Sequence, residues 1–512
     1  LPGGPPPPPP PSSCSPASPR ARRAPACSPC AAASPAAAPT RTPPGEPRRA
    51  GTPPAMAPAG EWAAHYPVLR SGPGVGTLKG EDCLAKGVPT GENSAGDDSG
   101  GKVPPRHVQQ MESDAVLGVT LNLTRTIVGS AILCLPFALQ EGGAGLGILS
   151  LVATGAFSLG GFLAIGMACE ATGAQTYREA WHRTVGTCPM LVDIVILFEC
   201  IITCVGYVIL ILDYLLTGLQ GLAGLQATES TRTRIATFVA VSCLIPLCLR
   251  PHMDNLKFSS LCGNVAMLYT MAYVVLECIA GAEHSTFPEE MTFVSAEREG
   301  VFRAMCVMTS AYVAHYSAPD FMKQISAKHT KPWRGFRRAT MASFGIALVA
   351  YGLFAFAGYE RFGSSVLGNV LLNYDGTLCV LLAWVSMAAT LIASFPLIFK
   401  PARDTVAQVL ALDSPEGAEQ RGNKSLPGPW TLMTVLVVAA TVLAGVVFRD
   451  ISRILAFRGA ILGCPVSFIL PGLMLLHCPS DGTGSKHTVH AWALILFGVF
   501  AGSLGLYCTV RS

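Results

Sequence analysis

Two clusters of small, polar and helix-breaking residues sit where unbroken apolar helix is otherwise expected. The first is Gly129-Ser130, followed by Pro136, in LNLTRTIVGSAILCLPFALQEGG. The second comprises Thr309, Ser310, His315, Ser317 and Pro319 in MCVMTSAYVAHYSAPDFMKQI. In lipid, an unwound peptide exposes N–H and C=O groups at a high cost unless protein, water or a ligand meets them. A half-helix beginning near Ser130 points free N–H groups and a partial positive charge into the gap, which suits a carboxylate. A half-helix ending near Ser310–Tyr312 offers carbonyls, which suit an ammonium group. A zwitterionic α-amino acid matches both ends at once. Gly and Pro are frequent in ordinary transmembrane helices, so the pairing of the two interruptions carries the signal. His315 can change charge near physiological pH and invites a proton-relay reading. The competing reading is a histidine that satisfies a carbonyl on a neighbouring helix.

The elements that hold these clusters follow from composition. The chain has 512 residues, 50% hydrophobic and 13% charged, with a mean hydropathy of +0.43. Soluble globular proteins carry about 25% charged residues. That excludes a large soluble enzyme, a nucleic-acid binder and a secreted disulfide scaffold, and makes the lipid bilayer the main partner. A helix needs about 20 apolar residues to cross the hydrocarbon core. Such stretches fall at roughly 115–139, 146–169, 189–216, 234–250, 258–281, 300–321, 339–359, 376–399, 430–448, 454–476 and 490–509, which predicts eleven spans in an all-α membrane protein. The interrupted spans are the first and the sixth. They hold corresponding positions in two five-helix halves, the sequence pointer to an inverted-repeat carrier with a midplane site.

Loop charges orient the spans. Lys and Arg number 15 in the loops on the N-terminal side against 6 on the other, so the N-terminus is expected in the cytoplasm and the C-terminus outside or in a lumen. Residues 1–60 hold 20 of the 40 prolines and six arginines against one acid. A disordered tail is therefore expected over 1–112, either a targeting leader or translated upstream sequence, ahead of a transporter domain at 113–510. Nearly all cysteines outside the tail lie in apolar runs, as buried small hydrophobes rather than metal ligands or disulfides. No metal and no organic cofactor is expected.

The chain resembles the amino acid/auxin permease family, which includes neutral and vacuolar amino acid transporters. The resemblance rests on NLTRTIVGSAILCLPFALQEGG, ATGAQTYREAWHRTVG, SAYVAHYSAPDF, AGYERFGSSVLGNVLLNY, ASFPLIFKPARDTV and VSFILPGLMLL, which occur in that order across 114–509. It implies eleven helices, a cytoplasmic N-terminus and a LeuT-like five-plus-five fold with one added helix. It places substrate against Val128, Gly129 and Ser130 of the first span and Ser310, Ala311, Tyr312 and His315 of the sixth. Tyr207 of the third span matches an aromatic that faces the site in this fold.

Arg125 departs from the family. Sodium-coupled relatives carry an ion-holding asparagine at the aligned position, and the only hydroxyls offered in the eighth span, Thr390 and Ser394, stand at altered spacing. A guanidinium could supply the charge the ion otherwise brings, so transport is expected to be sodium-independent, proton-coupled or facilitative. The rival reading of Arg125 is a structural ion pair, with Glu199 of the third span as its partner. The expected function is secondary transport of neutral L-amino acids by alternating access. An amino acid sensor of the same shape is the alternative, and a membrane acyltransferase using His315 is the more remote one.

Overall fold

In a computed structural model, the structure describes residues 105–512 apart from 227, 251–256, 282–291, 294, 296, 298, 413–427, 479–483 and 512. The tail expected over 1–112 lies mostly outside the described residues. Its last part is corrected, because helix begins at Pro105 and runs unbroken to Ile127.

Among the described residues the regular structure is entirely helical. Nine helices are long and apolar enough to cross a membrane, and a bent pair, Gln109–Ile127 with Ser130–Gly142, makes a tenth span. The remaining span is the sixth, whose two pieces, Gly300–Tyr312 and Ala318–Ser326, are each too short to cross alone. The eleven spans are thus filled in the expected order. Their ends often reach past the apolar stretch, as in the third span (Pro189–Ala223) and the eighth (Leu378–Val409). Apolar counting marks the hydrocarbon slab, whereas the helix continues until a cap or turn stops it. The block ATGAQTYREAWHRTVG adds a short helix, Tyr177–Thr184, whose N-cap Thr176 accepts from the backbone N–H of Glu179.

Both expected interruptions are present. The first span bends by 47° at Val128-Gly129. It resumes as a 3-10 turn, Ser130–Cys134, and then as helix Leu135–Gly142, with Pro136 in its first turn where the missing N–H costs nothing. The sixth span ends its first half at Tyr312, passes through extended Val313 and resumes through His315–Ser317. Pro319 sits in the first turn of its second half.

The two broken spans lie side by side and run in opposite directions. The first half of span one packs on the second half of span six, and the second half of span one packs on the first half of span six. Spans two and seven pack together, as do three and eight, and four and nine. In each pair the partners are five spans apart, the contact pattern of two inverted five-helix repeats around a common axis. Below, the face where Pro105 begins is the near face, and the opposite one is the far face.

Span ten is irregular in its own way. After helix Ile451–Arg458 it widens into two π-helical turns, Gly459–Gly463 and Pro465–Ile469, before closing as Leu470–Leu476. Pro465 and Pro471 each remove an N–H donor, so carbonyls upstream need partners from elsewhere. A Cβ built on Gly459 would lie 1.8 Å from the carbonyl oxygen of Cys306. Only glycine lets span ten press this closely on span six.

Candidate substrate site between the broken helices

At the first break, Gly129 adopts an extended conformation (φ −110°, ψ −169°) and caps the 3-10 turn with its carbonyl, which accepts from the N–H of Ile132. The opening N–H groups of such a turn have no intrahelical acceptor. A Cβ built on Gly129 would meet nothing nearer than Ile127 O at 4.0 Å, so another molecule can approach the peptide itself. Val128, Gly129 and Ser130 are all half-buried. The Tyr207 side chain interacts with that of Ser130, which places Tyr207 at this break.

The carbonyl ends of both first half-helices converge on one residue. The hydroxyl of Tyr351, from the middle of span seven, lies 2.7 Å from Ile127 O and 2.8 Å from Ala311 O. Tyr351 is fully buried. A tyrosine hydroxyl has a single proton to give, and Ile127 O also accepts from the N–H of Gly129 at 2.9 Å, so Ala311 O is the carbonyl that relies on the hydroxyl. Each helix end carries partial negative charge, and together they form an acceptor-rich spot beside the turn that opens at Ser130. Eight residues earlier on span seven, the hydroxyl of Ser343 lies 2.8 Å from Ala339 O of its own helix and 3.0 Å from Thr120 O. Span seven therefore meets the first half of span one at two levels.

Several sequence-predicted side chains point away from this spot. Ser310 donates its hydroxyl to Leu455 O of span ten at 2.6 Å. The Tyr312 hydroxyl lies against Gly155 of span two, buried and with no hydrogen-bond partner among the described residues. His315 is fully buried, with Nε2 2.9 Å from Ser158 O and Nδ1 3.0 Å from Ser467 Oγ. A carbonyl only accepts, so Nε2 carries the proton. Nδ1 then accepts from the Ser467 hydroxyl, and the neutral ring is satisfied at both nitrogens. The edges of Phe162 and Phe344 close around it. In this part of span six the peptide faces the break while the side chains lock the helix to spans two and ten.

The charge assignments are corrected. Arg125 is exposed and has no ion-pair or hydrogen-bond partner among the described residues. It shares its face with exposed Leu117 and Leu121, whereas Val119, Leu123 and Ile127 on the opposite face are buried. Glu199 is buried in span three but pairs with Arg458 of span ten. Its Oε1 accepts from Nε at 2.8 Å and stands 2.6 Å from Nη2. Oε2 is buried without a partner. Tyr207, Tyr316 and Tyr351 all lie within electrostatic reach of Arg458, and its helix, Ile451–Arg458, packs on both the Ser130–Cys134 turn and the first half of span six. Thr390 donates to Ser386 O of its own helix and packs where a side chain on Gly263 of span five would stand. Ser394, one turn further on, is half-buried.

On the far face a cavity of about 140 Å³ opens between spans one, six and ten, lined in part by Phe137, Glu141, Arg303 and Asp450. Arg303 Nε donates to Glu141 Oε2 at 2.5 Å, tying the far ends of the two broken spans together. Sequence reasoning missed Tyr351, Tyr316, Ser467 and Arg458. Arg458 had a usable signal: it is an arginine inside the apolar tenth span, and intramembrane charges are rare enough that each should be tried against every buried acid.

With this geometry in place, comparison identifies the class. The family model for transmembrane amino acid transporter proteins matches residues 112–511, and the chain belongs to that family. It is 24% identical over 363 residues to solute carrier family 38 member 10 of Rattus norvegicus, covering 70% of this chain and 32% of the relative. It is 25% identical over 395 residues to vacuolar amino acid transporter 5 of Schizosaccharomyces pombe, covering 76% and 90%. To human sodium-coupled neutral amino acid transporter 7 it is 23% identical over 409 residues, covering 77% and 86%. The chain spans about a third of the length of the first of these relatives. Among solved structures, a nucleobase-cation-symport-1 family transporter with bromovinylhydantoin bound is similar at a TM-score of 0.47 and 11% identity, over 77% of this chain and 90% of that one.

Proposed function

We propose that this chain carries neutral L-amino acids across its membrane by alternating access, binding the zwitterion between the interruptions of spans one and six. The observation that carries the reading is the convergence at Tyr351. Two carbonyl-bearing helix ends meet one hydroxyl there, beside the N–H groups that open the turn at Ser130. An ammonium can donate to these partially negative helix ends, and the carboxylate takes the N–H groups. The family and the names of the relatives favour amino acids, neutral ones among them. Val128, Gly129, Ser130 and Tyr207 line the first break in this reading, and the backbone of Ser310–Tyr312 lines the second. His315 acts as a lock between helices.

Transport is sodium-independent, either proton-coupled or facilitative. Thr390 is bonded to its own helix and Arg125 stands on the exposed face of span one, so neither offers an oxygen to a sodium ion. The near face is cytoplasmic, as loop charges favour, and the C-terminus lies on the other side. The protein works as a carrier and performs no covalent chemistry on its substrate.

The test is counterflow by the purified full chain in proteoliposomes, with labelled L-alanine, L-glutamine, L-leucine and L-arginine and with sodium and pH gradients varied independently. The expected result is exchange of at least one neutral member, unchanged when sodium is replaced by choline. No exchange with any of the four would refute the transport reading, and an absolute need for sodium would refute the coupling.

A further inference from the structure

We infer that the Arg458 guanidinium is the carboxylate anchor of the transported zwitterion, held in position by Glu199; this rests on the amino acid reading above. Arg458 comes from the last helical turn of span ten before the backbone widens at Gly459. Glu199 comes from the first third of span three (Pro189–Ala223). The pair therefore joins two helices that flank the broken ones, and it lies within electrostatic reach of Tyr207, Tyr316 and Tyr351. Helix Ile451–Arg458 packs on the Ser130–Cys134 turn of the first break, and Leu455, one turn before Arg458, accepts from the Ser310 hydroxyl near the second, so Arg458 stands on the stretch of span ten that faces both interruptions.

The hydrogen-bond inventory points the same way. Arg458 donates from Nε to Glu199 Oε1, and its Nη2 stands 2.6 Å from the same oxygen. Its Nη1 donors have no partner among the described residues, and the side chain keeps 10% of its surface exposed. A guanidinium presents a planar fork whose second edge suits a carboxylate. Glu199 fixes the plane of the group from one side and leaves the other edge to the ligand. It also cancels the charge of Arg458, so the empty carrier holds a neutral pair at mid-bilayer. A zwitterion adds no net charge to that pair, whereas a lone anion or cation would. Discrimination in favour of zwitterions follows from this balance. A buried ion pair gives little net stability over apolar residues of the same volume, so stability alone does not account for placing one here.

The test measures binding of each of the four amino acids of the counterflow panel, paired with its carboxamide, to the purified full chain. Wild-type protein should bind the acid about 10- to 100-fold more tightly than the amide, the range for a charge-assisted hydrogen bond. The double variant Glu199→Gln, Arg458→Met leaves no uncompensated buried charge and should bring the two affinities together. If that variant is not recovered folded, Arg458→Lys, which keeps a cation opposite Glu199, takes its place. It should weaken acid binding about tenfold while leaving amide binding unchanged. Equal wild-type affinity for acid and amide, or full discrimination retained by the double variant, would overturn the anchor while leaving amino acid transport standing. Equal weakening of both ligands by Arg458→Lys would overturn it too. Wild-type protein that exchanges none of the panel would instead remove the reading beneath it.

Discussion

At Tyr351 one hydroxyl lies within hydrogen-bond reach of the carbonyls of both Ile127 and Ala311 and joins the ends of the two first half-helices. Replacing Tyr351 by Phe keeps the ring and its packing on Tyr312 but takes the hydroxyl donor from the buried Ala311 carbonyl, while Ile127 O keeps the N–H of Gly129. A buried carbonyl left without a donor costs about 1–3 kcal/mol. Tyr351→Phe should therefore lower the unfolding temperature and cut exchange at least tenfold; unchanged exchange would show that this hydroxyl does not shape the site. His315 gives the opposite expectation. Because its ring is satisfied at both nitrogens and closed off by Phe162 and Phe344, His315→Gln should lower stability while leaving the shape of the pH–uptake profile as it was. A displaced or flattened profile would restore the relay.

Sequence reasoning at this scale located the breaks in the backbone and did not place the side chains beside them. Gly129 and Ser130 were legible because only a few residue types permit a break in lipid. The partner of Glu199 was not, since sequence order says nothing about which of two arginines shares its level in the bundle. Ser310 and His315 stood in the right segment, but their side chains bond carbonyls on spans ten and two, and sequence order does not say which neighbouring helix a side chain meets.

Among the elements, span ten and the far-face ends of spans one and six decide how tightly the bundle closes. Gly459 lies against the Cys306 carbonyl with no room for a methyl group. Gly459→Ala must push spans six and ten apart, at a cost of about 1–3 kcal/mol or more for overpacking. The expected outcome is a lower unfolding temperature and poor recovery from detergent; wild-type thermal stability would contradict the packing described. On the far face, the Glu141–Arg303 pair latches the two broken spans together. Glu141→Gln should loosen it, so that Ala138→Cys, in the cavity wall beside it, reacts faster with a membrane-impermeant maleimide than in the Glu141 parent. An equal rate would show that the latch does not control access. The broken spans themselves were readable from polar residues, Gly and Pro in otherwise apolar runs. The widening of span ten was not, because Pro465 and Pro471 predict lost hydrogen bonds without saying whether the helix kinks or widens.

For the molecule as a whole, the inverted pairing of spans one with six, two with seven and three with eight means that one gap serves both faces. The account predicts that ligand and latch oppose each other across it. The most direct measurement is the structure of the full chain at saturating amino acid. The predicted result is a ligand between the two interruptions, with its ammonium at the carbonyls of Ile127 and Ala311 and its carboxylate toward the Ser130 N–H and Arg458. A ligand seated instead in the far-face cavity beside Glu141 and Arg303, with the peptides at Gly129 and Ala314 untouched, would contradict it.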